Sequence, residues 1–236
     1  MGVLSMLLNM FRGYGFDFFE FFAYVIASLV IIMLILPLHE FAHAFVADKL
    51  GDPTARYMRR RTLNPFAHID WLGAASIIFL GFGWAKPVPV NMRNFNKPKI
   101  GMAIVALAGP VSNLIAAFVG MGLMHSVAAV YPFINSEIVN QILLFVMYVL
   151  SFFSSVNVTL AVFNLIPIPP LDGSRLLAAF LPDRIYYRIM QYERYFSILL
   201  WIVILSGLFD PILVNGSGYI LTLYSNFFKF VFGLFL

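Results

Sequence analysis

Cysteine is absent from this sequence, and charged residues are scarce. The 236 residues include no cysteine, 11% charged residues and 61% hydrophobic residues. Without thiols there is no disulfide and no thiolate metal site, so a metal ion would be bound by His, Asp or Glu side chains. Soluble globular domains contain about 25% charged residues. The composition therefore excludes an ordinary soluble domain and indicates a protein embedded in a lipid bilayer.

Linkers and repeats are absent as well. No Ser/Gly-rich linker, charged tail or internal repeat divides the chain, which predicts one membrane-embedded domain over residues 1–236. The N-terminal stretch lacks the basic start and the small-residue cleavage site of a secretory signal, so we expect it to be retained.

Long apolar runs determine the predicted fold, because a helix needs about 20 apolar residues to cross the hydrocarbon core. Four stretches reach this length: 18–46, 100–128, 138–163 and 189–208. A fifth, 218–236, is long enough but contains Lys229. Residues 72–84 are too few to span, and Gly73, Gly81 and Gly83 weaken them as a helix. The prolines after them favour an extended chain. We predict an all-α polytopic membrane protein with four to five transmembrane helices and a short re-entrant or interfacial β-like segment around 72–92.

Charge in the connections predicts the orientation. Segments 49–61, 86–99 and 175–194 are rich in Lys and Arg, whereas the connections around 129–137 and 209–217 each carry one acidic residue and no basic residue. Short basic loops mark the cytoplasmic side of a membrane. We interpret the basic runs as topology signals and lipid head-group contacts, and we do not expect nucleic acid as a partner.

The sequence HEFAH lies within the first predicted span and matches the pattern H-E-x-x-H. On a helix, His39 and His43 share one face, so both imidazoles can reach a single ion. This donor set is typical of catalytic zinc, and Glu40 is then placed to take a proton from a zinc-activated water. Pro37 is expected to loosen the helix just before the motif. Ionisable groups inside a spanning segment are costly and usually mark a functional site.

A catalytic zinc site keeps three protein ligands, so a third must come from elsewhere. The candidates are His68, His125 and a distant carboxylate. His125 is predicted near the opposite side of the membrane, and a structural hydrogen-bonding role is favoured for His68. Asp172 follows a proline-rich segment where the third span returns to the cytoplasmic side. Position favours Asp172, with a helix N-cap as its alternative role.

Five motifs in order carry a family resemblance: HEFAH, LNPFAHID, GFGWAKPVPVN, ALAGPVSN and NLIPIPPLDG. Over about residues 33–180 the chain resembles the site-2 protease family of intramembrane zinc metalloproteases. The resemblance implies one zinc ion bound by His39, His43 and Asp172, with Glu40 as the catalytic base. It implies that Asn164 helps to position or polarise the scissile carbonyl, and that 72–92 corresponds to the membrane-associated strand region of the family.

The resemblance also implies the domain organisation and the reaction. The catalytic core would cover about 18–182, followed by the spans 189–208 and 218–236, with no PDZ or nucleotide-sensing domain. The expected reaction is hydrolysis of peptide bonds in or near transmembrane segments of membrane-protein substrates, near the cytoplasmic side of the bilayer. A multi-pass protein of a bacterial or archaeal cytoplasmic membrane fits this short cysteine-free chain.

Two other functions use the same buried residues. An ion or metal transporter would use the histidines as a relay, and a non-proteolytic relative would bind membrane segments without cutting them. The transporter predicts ion flux without any cleavage that depends on Glu40. A binding protein has no need of a base beside the metal, so the intact HEFAH sequence favours the protease.

Overall fold

The computed structural model describes residues 3–12, 15, 18–80 and 83–233. Residues 81 and 82 of the predicted segment 72–92, and 234–236 of the predicted fifth span, lie outside the described residues. The chain divides into two compact units, Met1–Asn94 and Phe95–Leu236. A single domain over 1–236 stays a prediction.

One long helical stretch dominates the first unit. After α1 (Val3–Phe11), α2 (Phe18–Val30) passes through a π-helical turn (Ile31–Ile35) directly into α3 (Leu36–Lys49). Its apolar sequence and uninterrupted length make Tyr24–Lys49 long enough to cross a membrane. The HEFAH sequence therefore lies on a spanning helix, as predicted.

Shorter elements follow α3 in the first unit. They are α4 (Thr54–Tyr57), a 3-10 turn (Pro65–Ala67), α5 (Trp71–Leu80) and a second 3-10 turn (Met92–Asn94). α5 is helical over most of the first half of the predicted β-like segment around 72–92. No β-strand occurs among the described residues, so the β-like segment is not confirmed. An apolar run of only ten residues is still too short to span.

Two glycines bring the chain after α5 close to that helix. A Cβ atom on Gly73 would lie 2.1 Å from the Trp84 carbonyl oxygen, and one on Gly83 would lie 2.1 Å from the Gly73 carbonyl oxygen. These glycines permit a close backbone approach, and the proline-containing segment 84–91 leaves α5 from this point.

Two long antiparallel helices form the second unit's centre. α6 (Pro98–Val130) and α7 (Glu137–Asn164) are joined by a short 3-10 turn (Tyr131–Phe133). Shorter helices follow: α8 (Asp172–Leu176), a 3-10 turn (Leu177–Ala179), α9 (Asp183–Gln191), α10 (Glu193–Leu205) and α11 (Asp210–Gly233). α11 packs on both long helices through aromatic residues such as Phe228, which lies 4.7 Å from Phe118 between ring centroids.

The surface of α6 is consistent with a lipid environment. One face exposes large apolar side chains at a spacing of three or four residues, which places them on one stripe. These residues are Ile100, Ile104, Leu107, Val111, Ile115, Val119 and Leu123. An exposed apolar stripe of this length is unfavourable in water and suits hydrocarbon.

Among the described residues, three helices are long and apolar enough to cross a membrane: Tyr24–Lys49, Pro98–Phe133 and Glu137–Asn164. These correspond to the first three predicted spans. The fourth predicted span contains α10, which has only 13 residues. The structure confirms an all-helical membrane protein over the described residues, and the count of four to five spans stays a prediction.

Candidate metal centre

His39 and His43 converge on one face of α3. Their Nε2 atoms are 3.0 Å apart, and the rings meet edge to face with centroids 4.6 Å apart. Two nitrogen ligands of a tetrahedral zinc ion, each at about 2.05 Å, are separated by about 3.3 Å. Because both histidines are also buried, the pair fits the nitrogen half of a zinc site with little adjustment.

The helix changes its winding just before this pair. Pro37 has no N–H to donate to the carbonyl one turn earlier, and the π-helical turn Ile31–Ile35 lies directly upstream. Pro37 is buried, as is Ile35. The loosening of the helix that was predicted at Pro37 thus takes the form of a π turn, and the helix continues through it.

Glu40 receives a hydrogen bond from the 84–91 segment. The Val88 N–H donates to Glu40 Oε2 at 2.9 Å, across 48 positions in sequence. Glu40 is half-buried, and one oxygen of its carboxylate is engaged by backbone. A charge-assisted hydrogen bond of this kind fixes the direction of a carboxylate.

Asp172 and Asn164 belong to the second unit, at one end of α7. Asn164 is the last residue of α7, and its Nδ2 donates to the Leu160 carbonyl at 3.0 Å. Asp172 is the first residue of α8. A Cβ atom on Gly173 would lie 2.3 Å from the Leu165 carbonyl oxygen. The proline-rich loop therefore folds back so that the start of α8 touches the end of α7, and the roles of Asp172 and Asn164 stay predictions.

His68 forms hydrogen bonds within the first unit. It is 1% exposed, and its Nε2 lies 2.8 Å from the Thr62 carbonyl oxygen. A carbonyl only accepts, so Nε2 carries the hydrogen. The His68 carbonyl in turn accepts from the Lys86 N–H at 2.8 Å. In the second unit, His125 Nδ1 lies 2.9 Å from the Met121 carbonyl oxygen of its own helix.

Comparison with known proteins identifies the family. The model of peptidase family M50, the site-2 protease family, matches residues 27–208. This chain belongs to peptidase family M50.

Several relatives of this M50 peptidase are named as zinc metalloproteases. It is 37% identical to YwhC of Bacillus subtilis (strain 168) over 90% of this chain and 98% of the relative. It is 32% identical to Rip2 of Mycolicibacterium smegmatis over 60% of this chain and 52% of that protein. It is 25% identical to Rip2 of Mycobacterium tuberculosis over 77% and 74% of the two chains. No solved structure gives a significant match.

Family membership settles the broad activity. The protein is a zinc metalloprotease embedded in a membrane, acting on membrane proteins. The transporter and the non-proteolytic binding protein are not favoured. The predicted use of zinc agrees with the donor chemistry of the histidine pair.

Two residues near the M50 centre were not singled out by the sequence pattern. Asp52 and Arg60 lie within the basic run 49–61, which the sequence analysis interpreted as topology and head-group contacts, yet both are buried. Arg60 Nη2 donates to the Lys86 carbonyl at 2.6 Å, and Asp52 Oδ2 accepts from the Asn91 N–H at 2.7 Å. Each of these two side chains thus binds a backbone group that is distant in sequence. In the sequence, Asp52 is the one acidic residue of the basic run 49–61, and this could have indicated that its role differs from that of its neighbours.

Proposed function

We propose that this M50 peptidase hydrolyses peptide bonds in or near transmembrane segments, with His39, His43 and Asp172 as zinc ligands and Glu40 as general base. The observation that carries the proposal is the convergence of two buried imidazoles, with Nε2 atoms 3.0 Å apart, beside Glu40 on one spanning helix. A hydrolytic site needs a proton acceptor next to the metal, and Glu40 is adjacent in sequence to the first histidine.

Zinc, when bound, makes water acidic enough to be deprotonated near neutral pH and polarises the substrate carbonyl. Glu40 accepts the proton from that water and returns it to the leaving amine. The Val88 N–H holds one oxygen of the carboxylate, which leaves the other oxygen for proton transfer. Asn164 donates from its side-chain amide to the oxygen of the scissile carbonyl as negative charge develops there.

The site faces the cytoplasmic side in this proposal. The basic segment 49–61 follows α3 directly, and the second basic segment, 86–99, precedes α6. Positive charge is retained on the cytoplasmic side of a bilayer. HEFAH lies in the last part of Tyr24–Lys49, within two to three turns of Lys49, so water reaches it from that side. A bacterial or archaeal cytoplasmic membrane is the proposed location.

Substrate helices must unwind locally, because their peptide bonds are hydrogen-bonded within the helix. The 84–91 segment offers an edge on which an unwound strand can pair, as in β-augmentation. Pro87 and Pro89 have no N–H, and the N–H groups of Lys86, Val88 and Asn91 are bonded within the first unit. Between Lys86 and Asn91 this leaves the Val90 N–H, together with carbonyl groups of the segment, for a substrate strand.

The first experiment is the zinc stoichiometry of the purified protein, measured by elemental mass spectrometry for wild type, Asp172→Ala and Asp183→Ala. We expect about one zinc per chain in wild type, a sharp loss in Asp172→Ala and no loss in the control, since Asp183 lies on the exposed start of α9. Unchanged zinc in Asp172→Ala would remove Asp172 from the ligand set. Glu40→Gln should keep its zinc and lose cleavage of a single-span polyleucine reporter with a Gly-Pro pair near its cytoplasmic end.

A further inference from the structure

Arg60 is a buried cation, with 9% of its surface exposed. Arg59 adopts a left-handed conformation with φ of 56°, and the Arg60 N–H donates to the Ala55 carbonyl at 2.7 Å. This turn after α4 directs the guanidinium inward. Among the described residues no carboxylate forms an ion pair with it within 4.0 Å. A buried arginine without such a partner is costly, so its hydrogen bonds require an explanation.

The guanidinium binds the backbone of the 84–91 segment. Its Nη2 donates to the Lys86 carbonyl at 2.6 Å and, more weakly, to the Pro87 carbonyl at 3.4 Å. The Lys86 N–H donates to the His68 carbonyl at 2.8 Å. Both polar backbone groups of Lys86 are therefore held, which fixes the position and the rotation of the segment at this residue.

Val88 follows two residues later and donates its N–H to Glu40. Pro87 and Pro89 keep the intervening chain extended, and in an extended chain the N–H groups of alternate residues point to the same edge. Fixing Lys86 therefore also sets the direction of the Val88 N–H. The charges are coupled as well: burial lowers the pKa of the Arg60 guanidinium, and the negative charge of Glu40 acts to raise it.

We propose that Arg60 is a positioning residue for peptide hydrolysis: it fixes the 84–91 segment, through which Val88 orients the Glu40 carboxylate. The inference rests on the proposed role of Glu40 as general base. It assigns to the first basic run a function in the active site besides its function in topology.

The test compares Arg60→Ala, Arg60→Lys and the neighbouring control Arg61→Ala with the polyleucine reporter. Arg61 is exposed and pairs with Asp48, so Arg61→Ala removes the same charge without removing a bond to the 84–91 segment. For Arg60→Ala we expect kcat to fall about 30- to 100-fold, as for a misplaced catalytic group, with KM changed less than about threefold. Arg60→Lys should be intermediate, because an ammonium lacks the planar fork of donors.

Two readouts separate positioning from a general structural role. Added guanidinium ion should restore part of the kcat of Arg60→Ala and none of the kcat of Glu40→Gln. Hydrogen exchange of the zinc-loaded and zinc-free proteins in nanodiscs should show faster exchange of the 84–91 peptide in Arg60→Ala, with α6 unchanged. Zinc content should stay at the wild-type level.

A wild-type kcat in Arg60→Ala would overturn the proposal, and so would loss of zinc or of the folded state together with activity. Failure of the underlying function has a different signature. If Glu40→Gln retains cleavage, the base assignment fails; if Glu40→Gln is inactive while Arg60→Ala is fully active, only the positioning role fails.

Discussion

Buried polar side chains of α7 in the second unit bond differently from the polar side chains around Glu40 in the first unit. In the second unit, Ser154 and Asn157 donate to the carbonyls of Leu150 and Phe153, four residues earlier on their own helix, at 2.8 Å each. In the first unit, Glu40 accepts from a backbone group 48 positions away, and Arg60 donates to one 26 positions away. One set of bonds stays within a helix, and the other joins distant parts of the chain.

This difference has consequences for function. A hydrogen bond to the same helix satisfies a polar group in an apolar environment but does not orient one segment against another. A long-range bond between a charged side chain and backbone orders both partners and is stronger than a neutral one. The buried polar groups of α7 named here therefore stabilise their own helix, whereas the long-range bonds of the first unit fix the position of Glu40.

The largest expected effect comes from Glu40, compared with a buried amide of α7. Glu40→Gln should lower kcat by about 10²–10⁴-fold, because an amide cannot accept the proton although it can still bind the Val88 N–H. Asn157→Ala, at a buried amide of α7, is the matched substitution in the second unit and should keep kcat within about threefold. Cleavage of the polyleucine reporter measures both. Equal losses in the two variants would remove the distinction between the two sets of bonds.

Proline at two positions of the 84–91 segment separates positioning from substrate pairing. Val88→Pro deletes the N–H that holds Glu40, so kcat should fall about 10- to 100-fold. Val90→Pro deletes the N–H proposed for the substrate strand, so the main effect should be a higher KM. Steady-state kinetics on each single variant decides this, with zinc content as the control. If Val90→Pro has normal kinetics, the segment does not pair with substrate through that group.

Asp52 is expected to make residues 84–94 sensitive to acid, because it binds Asn91 and Asn94. Burial alone would raise the pKa of its carboxyl group, but hydrogen bonds from Thr54, Asn91 and Asn94 together lower it. A folded-state pKa below the unfolded value of about 3.9 means that this stabilisation is fully present above about pH 4 and is lost as the pH falls through the folded pKa. At pH 3, about one unit below the unfolded pKa, the loss of local stability should be at most about 1 kcal/mol. It should appear as hydrogen exchange of residues 84–94 that is faster than the change in intrinsic exchange rate between the two pH values explains.

Asp52→Asn provides the comparison for that acid response. The amide removes the titrating group, so the variant should be less stable than wild type at pH 6 and should change less between pH 6 and pH 3. An unchanged acid response in Asp52→Asn would assign the effect to other carboxylates.

The sequence predicted the metal motif and its helix because these depend on local spacing. His39 and His43 are one turn apart whatever the rest of the chain does, and the apolar length of the first three spans follows from bilayer thickness. Prediction of α5 failed because the glycines in 72–84 were interpreted as helix-breaking. Gly73 instead permits close contact between α5 and Trp84. This contact depends on tertiary structure, which helix propensity does not describe.

The long-range hydrogen bonds of Arg60 and Glu40 could not be predicted from the sequence either. Arg60 has the same residue type as its neighbours Arg59 and Arg61, and only the left-handed turn at Arg59 distinguishes it. Such a conformation is uncommon for a residue with a side chain, so the pattern of basic residues gave no indication that one of them is buried. The pairing of Val88 with Glu40 likewise depends on how the 84–91 segment folds back.

The smallest expected effect concerns the second unit and compares two glycines of long helices. A Cβ atom on Gly120 of α6 would lie 2.6 Å from Ser154 Oγ and 3.0 Å from the Phe153 ring, whereas one on Gly218 of α11 would have nothing within 4 Å. Gly120→Ala should destabilise the protein by about 1–2 kcal/mol through overpacking, while Gly218→Ala should stabilise it by up to about 1 kcal/mol through helix propensity. Thermal unfolding in nanodiscs measures both. Because neither glycine is among the residues proposed to take part in the reaction, kcat at a temperature well below unfolding should stay unchanged. A specific loss of kcat in Gly120→Ala would show that the packing of α6 also affects the geometry of the reacting groups.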